Sequence, residues 1–313
     1  MRRTAEFDAF GPWVLPVESP EDVPRLFRSH PLDLGTARLV LKIPRPMSRR
    51  DANSDMDLYD HLLVAGADTL TVLSRRGDAY QSVEVPYRRI AALHTSVELL
   101  DGLLVVHDVE GPAPAGAAVS VRYNGVSHDL ITRLVRILRS AALATALATA
   151  RPAGVPASRP SAGEPLGLGD LGDTDVALVT AVHELAEAEP SFVTLASHRR
   201  TSVRRAAGPL RGLLDALRPV TLHAAVVCAD PGELQVLHRR QWFSTGQKPV
   251  LSVARTVVLM PMVTGVDPQP VSRYTAVECV RITSGRAVVE VPFPEGAETG
   301  SAIRGALGGV RAG

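Results

Sequence analysis

The residues best suited to chemistry in this chain are arginines, and they gather in a few places. Arg45, Arg49 and Arg50 fall in PRPMSRR; Arg199, Arg200, Arg204 and Arg205 fall in HRRTSVRR. A guanidinium is a planar fork of N–H donors that matches phosphate or carboxylate, so such a cluster is a candidate anion site. Asp51, Asp55 and Asp57 directly follow the first cluster and can neutralise it as a solvated loop. The stretch from His198 to Gly212 contains no acid and is the better candidate. Arg239 and Arg240 stand beside Trp242 and Phe243, and arginine next to tryptophan is the chemistry of interface hot spots. A core tryptophan is the competing reading. The anion- or partner-binding set is therefore Arg49, Arg50, Arg199, Arg200, Arg204, Arg205, Arg239, Arg240 and Trp242. Only Lys42 and Lys248 among the 34 basic residues are lysines, which composition bias alone accounts for.

The other reactive side chains form no recognisable set. His107-Asp108, His128-Asp129 and His183-Glu184 are sequence neighbours, which point apart on a strand. His183 and Glu187 share a helical face, but two ligands do not make a zinc site. Ser127 in GVSHD lacks the second glycine of a nucleophile elbow and reads as a helix cap. Cys228 and Cys279 sit in apolar runs without an activating base, so they read as buried thiols. GLGDLG and GALGG do not match a phosphate loop. No catalytic residue, metal or cofactor is expected.

The elements that must position these residues come in two sets. The chain has 313 residues, enough for two cores, and 45% hydrophobic with 21% charged residues fits a globular protein. A net charge of +1 gives no whole-molecule field toward nucleic acid. The first residues lack a signal-peptide core, and no apolar run of about 18 residues occurs, so no transmembrane segment and a cytoplasmic location are expected. Residues 151–172, rich in Pro, Gly, Ala and Ser, read as a flexible linker between a first domain, 1–150, and a second, 173–313.

The halves echo each other. Leu70–Arg76 reads LTVLSRR and Leu234–Arg240 reads LQVLHRR. A capped helix over Ser19–His30 precedes strands at Ala37–Ile43, His61–Gly66 and the first heptad. A helix over Asp173–Pro190 precedes strands at Ser191–Ser197, Leu222–Asp230 and the second heptad. SVEVPYRRIAALH, from Ser82, then matches KPVLSVARTVVLM, from Lys248. Glu98–Val109 matches Tyr274–Ile282, and Ala118–Tyr123 matches Ala287–Phe293. Each half ends in a helical pattern, Val126–Ala141 and Gly296–Val310.

This order resembles the pleckstrin-homology-like (PH-like) superfold, in particular its bacterial members. Leu70–Asp108 carries the likeness best, through Val85, Pro86, Tyr87, Arg89, Ile90, Leu100 and Gly102, followed by YNGVSHDLITRLVRIL as a closing helix. The resemblance implies an α+β fold of two tandem curved antiparallel sheets or small barrels, each closed by a C-terminal helix. It implies basic residues near the first hairpin that grip phosphate, and a non-catalytic, often membrane-adjacent module. The expected function is a cytoplasmic interaction or scaffold protein, bacterial in type, for a protein partner or an anionic lipid surface, with self-association and without specific nucleic-acid binding. Two alternatives stand beside it. One is a subunit of a larger assembly that uses its sheet edges. The other is an enzyme with its site between the halves, which needs a deep shared cleft with converging polar groups; whether His94, His107 and His128 meet discriminates it.

Overall fold

The computed structural model describes residues 4–112, 115–149, 166–206, 219–246 and 250–308. The protein is mixed α+β with antiparallel sheets. After the short helix α1 (Ala5–Ala9), the expected helix over Ser19–His30 is instead two 3-10 turns, Pro20–Asp22 and Arg25–Phe27. The Asp22 carboxylate accepts from the Ser19 N–H and hydroxyl. Pro24 has no N–H to continue the turn, which stops it there.

Strands β1 (Leu15–Pro16), β2 (Leu39–Pro44), β3 (Tyr59–Ala65), β4 (Thr69–Arg76) and β5 (Ala79–Pro86) form a five-stranded sheet in sequence order. Strands β6 (Ile90–Glu98), β7 (Asp101–Asp108) and β8 (Ala117–Asn124) then lead into helix α2 (His128–Thr149). Alternation sets the core. Leu41, Leu63 and Val72 from the five-stranded sheet meet Leu104, Val106 and Val121, with Ile131, Leu134 and Leu138 of α2 between them. Gly102 is required here: a Cβ would lie 2.4 Å from the Tyr123 ring.

The second half opens on α3 (Val176–Ala188). Its strands are β9 (Val193–His198), β10 (Thr201–Arg205), β11 (Val220–Leu222), β12 (Ala225–Ala229), β13 (Glu233–His238), β14 (Phe243–Thr245) and β15 (Val253–Leu259). Then follow β16 (Gly265–Pro270), β17 (Tyr274–Thr275), β18 (Val277–Ser284), β19 (Ala287–Pro294) and helix α4 (Glu298–Leu307). β16, β18 and β19 form a three-stranded sheet, and β14-β11-β10-β17 form a small four-stranded one. The two heptads fall on β4 and β13, which take the third place in the runs β2-β3-β4 and β9-β12-β13 once β1, β10 and β11 are set aside.

The remaining sheet has seven strands in the order β8-β7-β6-β15-β13-β12-β9, so it runs through both halves. β6 and β15 pair antiparallel from Val97↔Val253 to Ala92↔Val258. This corrects the expectation of two domains that each bury their own interior. Val257 and Leu259 belong to the first half's core, and Ala92 belongs to the second's. Among the described residues no sheet closes into a barrel. Of the expected linker, residues 151–165 lie outside the described residues. Leu166 and Leu171 at its end are buried against α3, which corrects that part of the assignment. The helix patterns near Val126 and Gly296 appear as α2 and α4; α2 joins the first core, and Ile303 and Leu307 of α4 join the second.

One face of the shared sheet carries α2 and α3 side by side, with a buried ionic network between them. Arg139 of α2 donates through Nε to Glu233 at 2.8 Å and through both terminal nitrogens to Glu189 at 2.9 and 2.8 Å. Gln235 donates to Glu233 at 3.1 Å, and Arg255 donates to Gln235 at 2.6 Å and to Glu189 at 3.3 Å. Burial alone would discharge Arg139, but its two carboxylate partners outweigh burial and hold it charged. Replacing Arg139 with methionine leaves the Glu233 carboxylate buried without its ion-pair partner, held only by Gln235. We expect a loss of about 3–5 kcal/mol in urea unfolding, most of it recovered in the R139M/E233Q double variant.

Candidate interaction surface

The arginines singled out from sequence do not form one open cradle. Arg239 is buried at 1% exposure, where it donates to Asp175 at 2.9 Å, to the Ser252 carbonyl at 2.7 Å and to the Thr174 carbonyl at 2.7 Å. Arg200 takes the other oxygen of the same carboxylate at 2.8 Å. Burial would raise the Asp175 pKa, but the two guanidiniums outweigh it and hold the carboxyl below its usual range. Arg199 donates to the Asp170 carbonyl at 2.5 Å, which pins the stretch before α3. Arg240 reaches across the halves to Asp101, at 2.8 Å from its carboxylate and 3.1 Å from its carbonyl. Arg49 donates to the carbonyls of Asp8 and Phe10 and lies over the Phe7 ring. Arg50 is exposed beside Asp51, and Arg204 and Arg205 are exposed on β10, away from the Asp175 group. The physical reason is local. β9 ends at His198 and β13 at His238, and the arginines just past those ends are taken up by acceptors on neighbouring segments: Asp170, Thr174 and Asp175 ahead of α3, Ser252 ahead of β15, and Asp101 of β7.

Trp242 stacks on His238 with ring centroids 4.0 Å apart. It packs against the second core. It therefore belongs to a polar seam on the face of the shared sheet opposite α2 and α3. There the Thr256 hydroxyl sits 2.9 Å from His94 Nδ1 and 2.9 Å from His238 Nε2, and His238 Nδ1 donates to the Arg239 carbonyl at 2.7 Å. Only one assignment satisfies all three bonds: His238 accepts from Thr256, and Thr256 accepts from His94. His107 lies diagonally across from His94 on the same face, since His94 pairs with Val105 and Ala92 with His107. His128 is on the other face, bonded to the Tyr123 hydroxyl at 2.8 Å. The three histidines thus do not meet. His183 donates to, and orients on, the Leu166 carbonyl at 2.8 Å. Among the described residues no group of three His, Cys, Asp or Glu side chains could hold a metal ion. Burial pushes both thiols, Cys228 and Cys279, up to about 11.

What sequence reading missed is apolar. Leu99, Leu100, Val126, Leu251 and Trp13 are each between 53% and 71% exposed, and they share one end of the seven-stranded sheet. Leu99 and Leu100 are the two-residue turn between β6 and β7, whose flanking pair is Glu98↔Asp101. The Gly125 N–H donates to the Leu100 carbonyl, which sets Val126 beside that turn. The Val14 N–H donates to Ser127 Oγ at 3.0 Å, which brings Trp13 to Val126. Leu251 lies two residues before Val253, the partner of Val97, so it also reaches the turn. Large apolar side chains gathered in solvent mark a contact surface. Leu99 adds a backbone cost. Its φ of 54° is left-handed, where glycine is favoured at such a turn. The signal was present in the sequence as ELLDG, a turn written with leucines.

Two outcomes follow. Leu99→Gly relieves the left-handed strain, and we expect a gain of about 0.5–1 kcal/mol in urea unfolding. Burial lowers His94 to about 4 and His238 to about 3 from an ordinary 6.5. His198 and His223 are lowered to about 4, also by burial. The unfolded chain binds these protons and the folded chain refuses them, so the histidine contribution to stability falls as pH drops below about 6.5 and levels off only beneath about 3, where His238 takes up its proton. The urea midpoint is expected to be lower at pH ~5 than at pH ~7.5, with a shallower dependence in the H94N/H238N variant. Compared with known proteins, the chain matches no family model, no curated protein and no solved structure.

Proposed function

We propose that this chain is a non-catalytic interaction module, two PH-like units fused along one sheet, and that it engages a protein partner through the apolar end of that sheet. The parallel order of elements supports the PH-like reading. After β1, the first half runs β2 to β5, then β6 to β8, then α2; the second runs β9, β12, β13, β15, then β16, β18, β19, then α4, with β10, β11, β14 and β17 inserted as the small four-stranded sheet. The observation that carries the interaction reading is the cluster of Leu99, Leu100, Val126, Leu251 and Trp13, each more than half exposed. A protein partner is favoured over an anionic lipid surface because Arg199, Arg200, Arg239 and Arg240 already serve internal acceptors. No helix among the described residues is long and apolar enough to cross a membrane.

A photo-crosslinking residue in place of Leu100 should yield one discrete protein adduct in cells. The same residue in place of exposed Asp267, on β16, should yield none. Equal adducts at both positions, or none at Leu100, would remove the apolar end as the contact. Flotation with anionic vesicles tests the lipid alternative: wild-type flotation that R204A/R205A abolishes would favour it.

A further inference from the structure

The inner face of the five-stranded sheet is built in layers that the strand register sets. Leu39, Ala65, Leu70 and Val85 lie side by side from β2 to β5, and Leu41, Leu63, Val72 and Val83 form the next layer. All of them belong to the first core or pack against it. The third layer is Ile43, His61, Ser74 and Gln81, and Arg76 follows Ser74 on the same face of β4. The interior thus turns polar toward one end of the sheet. A cleft of about 230 Å³ lies there, between the end strands β5 and β8. The buried Val72 and Val121 make its floor, the exposed Gln81 and Arg76 its mouth, and His61, Ser74 and Val83 stand between. No carboxylate lines it.

Every polar group at the mouth can donate. His61 Nδ1 is 2.9 Å from the Ser74 hydroxyl. Burial lowers the pKa of His61, which keeps the ring neutral. In either tautomer the pair has one donor to spare: Nε2–H if the ring accepts from Ser74, the Ser74 O–H if the ring donates to it. Gln81 adds an amide. Arg75 takes Asp60 at 2.8 Å, and Arg76 is left without an ion pair among the described residues. The second half differs at the matching place. There Arg240, the counterpart of Arg76, meets Asp101 at 2.8 Å, and β6 covers the edge of β15. One unpaired guanidinium with neutral donors beside it matches the head of a monoanion. The valine floor matches an apolar tail, since a polar group set there would lose its hydrogen bonds to water.

We propose that this cleft binds a small organic monocarboxylate with a short aliphatic tail. The carboxylate takes the Arg76 fork and the spare donor of the His61–Ser74 pair, with the Gln81 amide beside it. The tail lies on Val72, Val83 and Val121. Drug-sized pockets run to roughly 300–1,000 Å³, so the occupant of this cleft is smaller than that. Inorganic phosphate would satisfy the donors but turn oxygens onto the valines. The site is separate from the apolar end and takes a different ligand, so it stands or falls independently of that surface.

The probe is sodium pentanoate, titrated into the full chain with isotope-labelled valine methyls and followed by NMR. Saturable shifts are expected at the methyls of Val72, Val83 and Val121. Pentanamide, of the same shape without the charge, should bind about tenfold more weakly or worse, and so should inorganic phosphate. Arg76→Gln and Gln81→Glu, both at exposed positions, should each weaken pentanoate by about tenfold or more with an unchanged urea midpoint. No saturable shift at tens of millimolar pentanoate, or equal affinity in R76Q and wild type, overturns the proposal. Pentanamide binding as tightly as pentanoate would remove the carboxylate, and phosphate binding as tightly would remove the aliphatic tail; either result overturns it as well.

Discussion

An unpaired strand edge is a row of peptide groups that must find water or another strand, and the fold depends on how two such edges meet. β6 ends the first half's second sheet, and β15 ends the second half's first sheet. Each would expose its N–H and C=O groups if the halves stood apart. Pairing them satisfies both edges at once and joins three strands to four. The joint also fixes the packing. The cores on its two faces each draw residues from both halves, so separating the halves would open both cores.

The polar chemistry of the chain follows from that joint and from the strand ends beside it. Just past the ends of β9 and β13, the arginines are taken up by Asp170, Thr174 and Asp175 ahead of α3, by Ser252 ahead of β15 and by Asp101 of β7. On the helix-bearing face, Arg139 and Arg255 meet Glu189 and Glu233; on the other, Thr256 links a histidine from each half. Charged and polar groups held this way contribute less to net stability than their short distances suggest, because desolvation offsets the attraction. They do penalise any arrangement that leaves one partner alone. A slipped register between β6 and β15 would move His94 away from Thr256 and to the opposite face. The joint is thereby specific as well as closed.

The strands were largely legible because their β-branched runs and turns are local signals. α2 and α3 announced themselves by helical spacing. The pairing of β6 with β15 was not legible, since it joins Val97 to Val253 across 156 residues and neither edge differs in composition from a core strand. The arginines misled for a related reason. A sequence shows that Arg239 is a cation, but not that Asp175, Thr174 and Ser252 are folded around it. The apolar end was hidden by the opposite error: Leu99 and Leu100 extend an apolar run, and only the position of the turn between β6 and β7 shows that they face water.

Leu99 separates the demands of folding from those of contact. The turn between β6 and β7 needs a residue that tolerates a positive φ, and glycine, asparagine or aspartate meets that need at lower cost. The leucine side chain recovers little within the chain, because it is 71% exposed. Its neighbours along the rim are placed by main-chain bonds at the end of the sheet: the Gly125 N–H to the Leu100 carbonyl sets Val126, and the β6–β15 pairing sets Leu251, so the patch is fixed at its base. A rigid apolar rim loses little conformational freedom when covered, which is the condition under which buried apolar area converts most fully into affinity. The structural cost at Leu99 is therefore intelligible as a cost of recognition, borne at the end of the one sheet that both halves share.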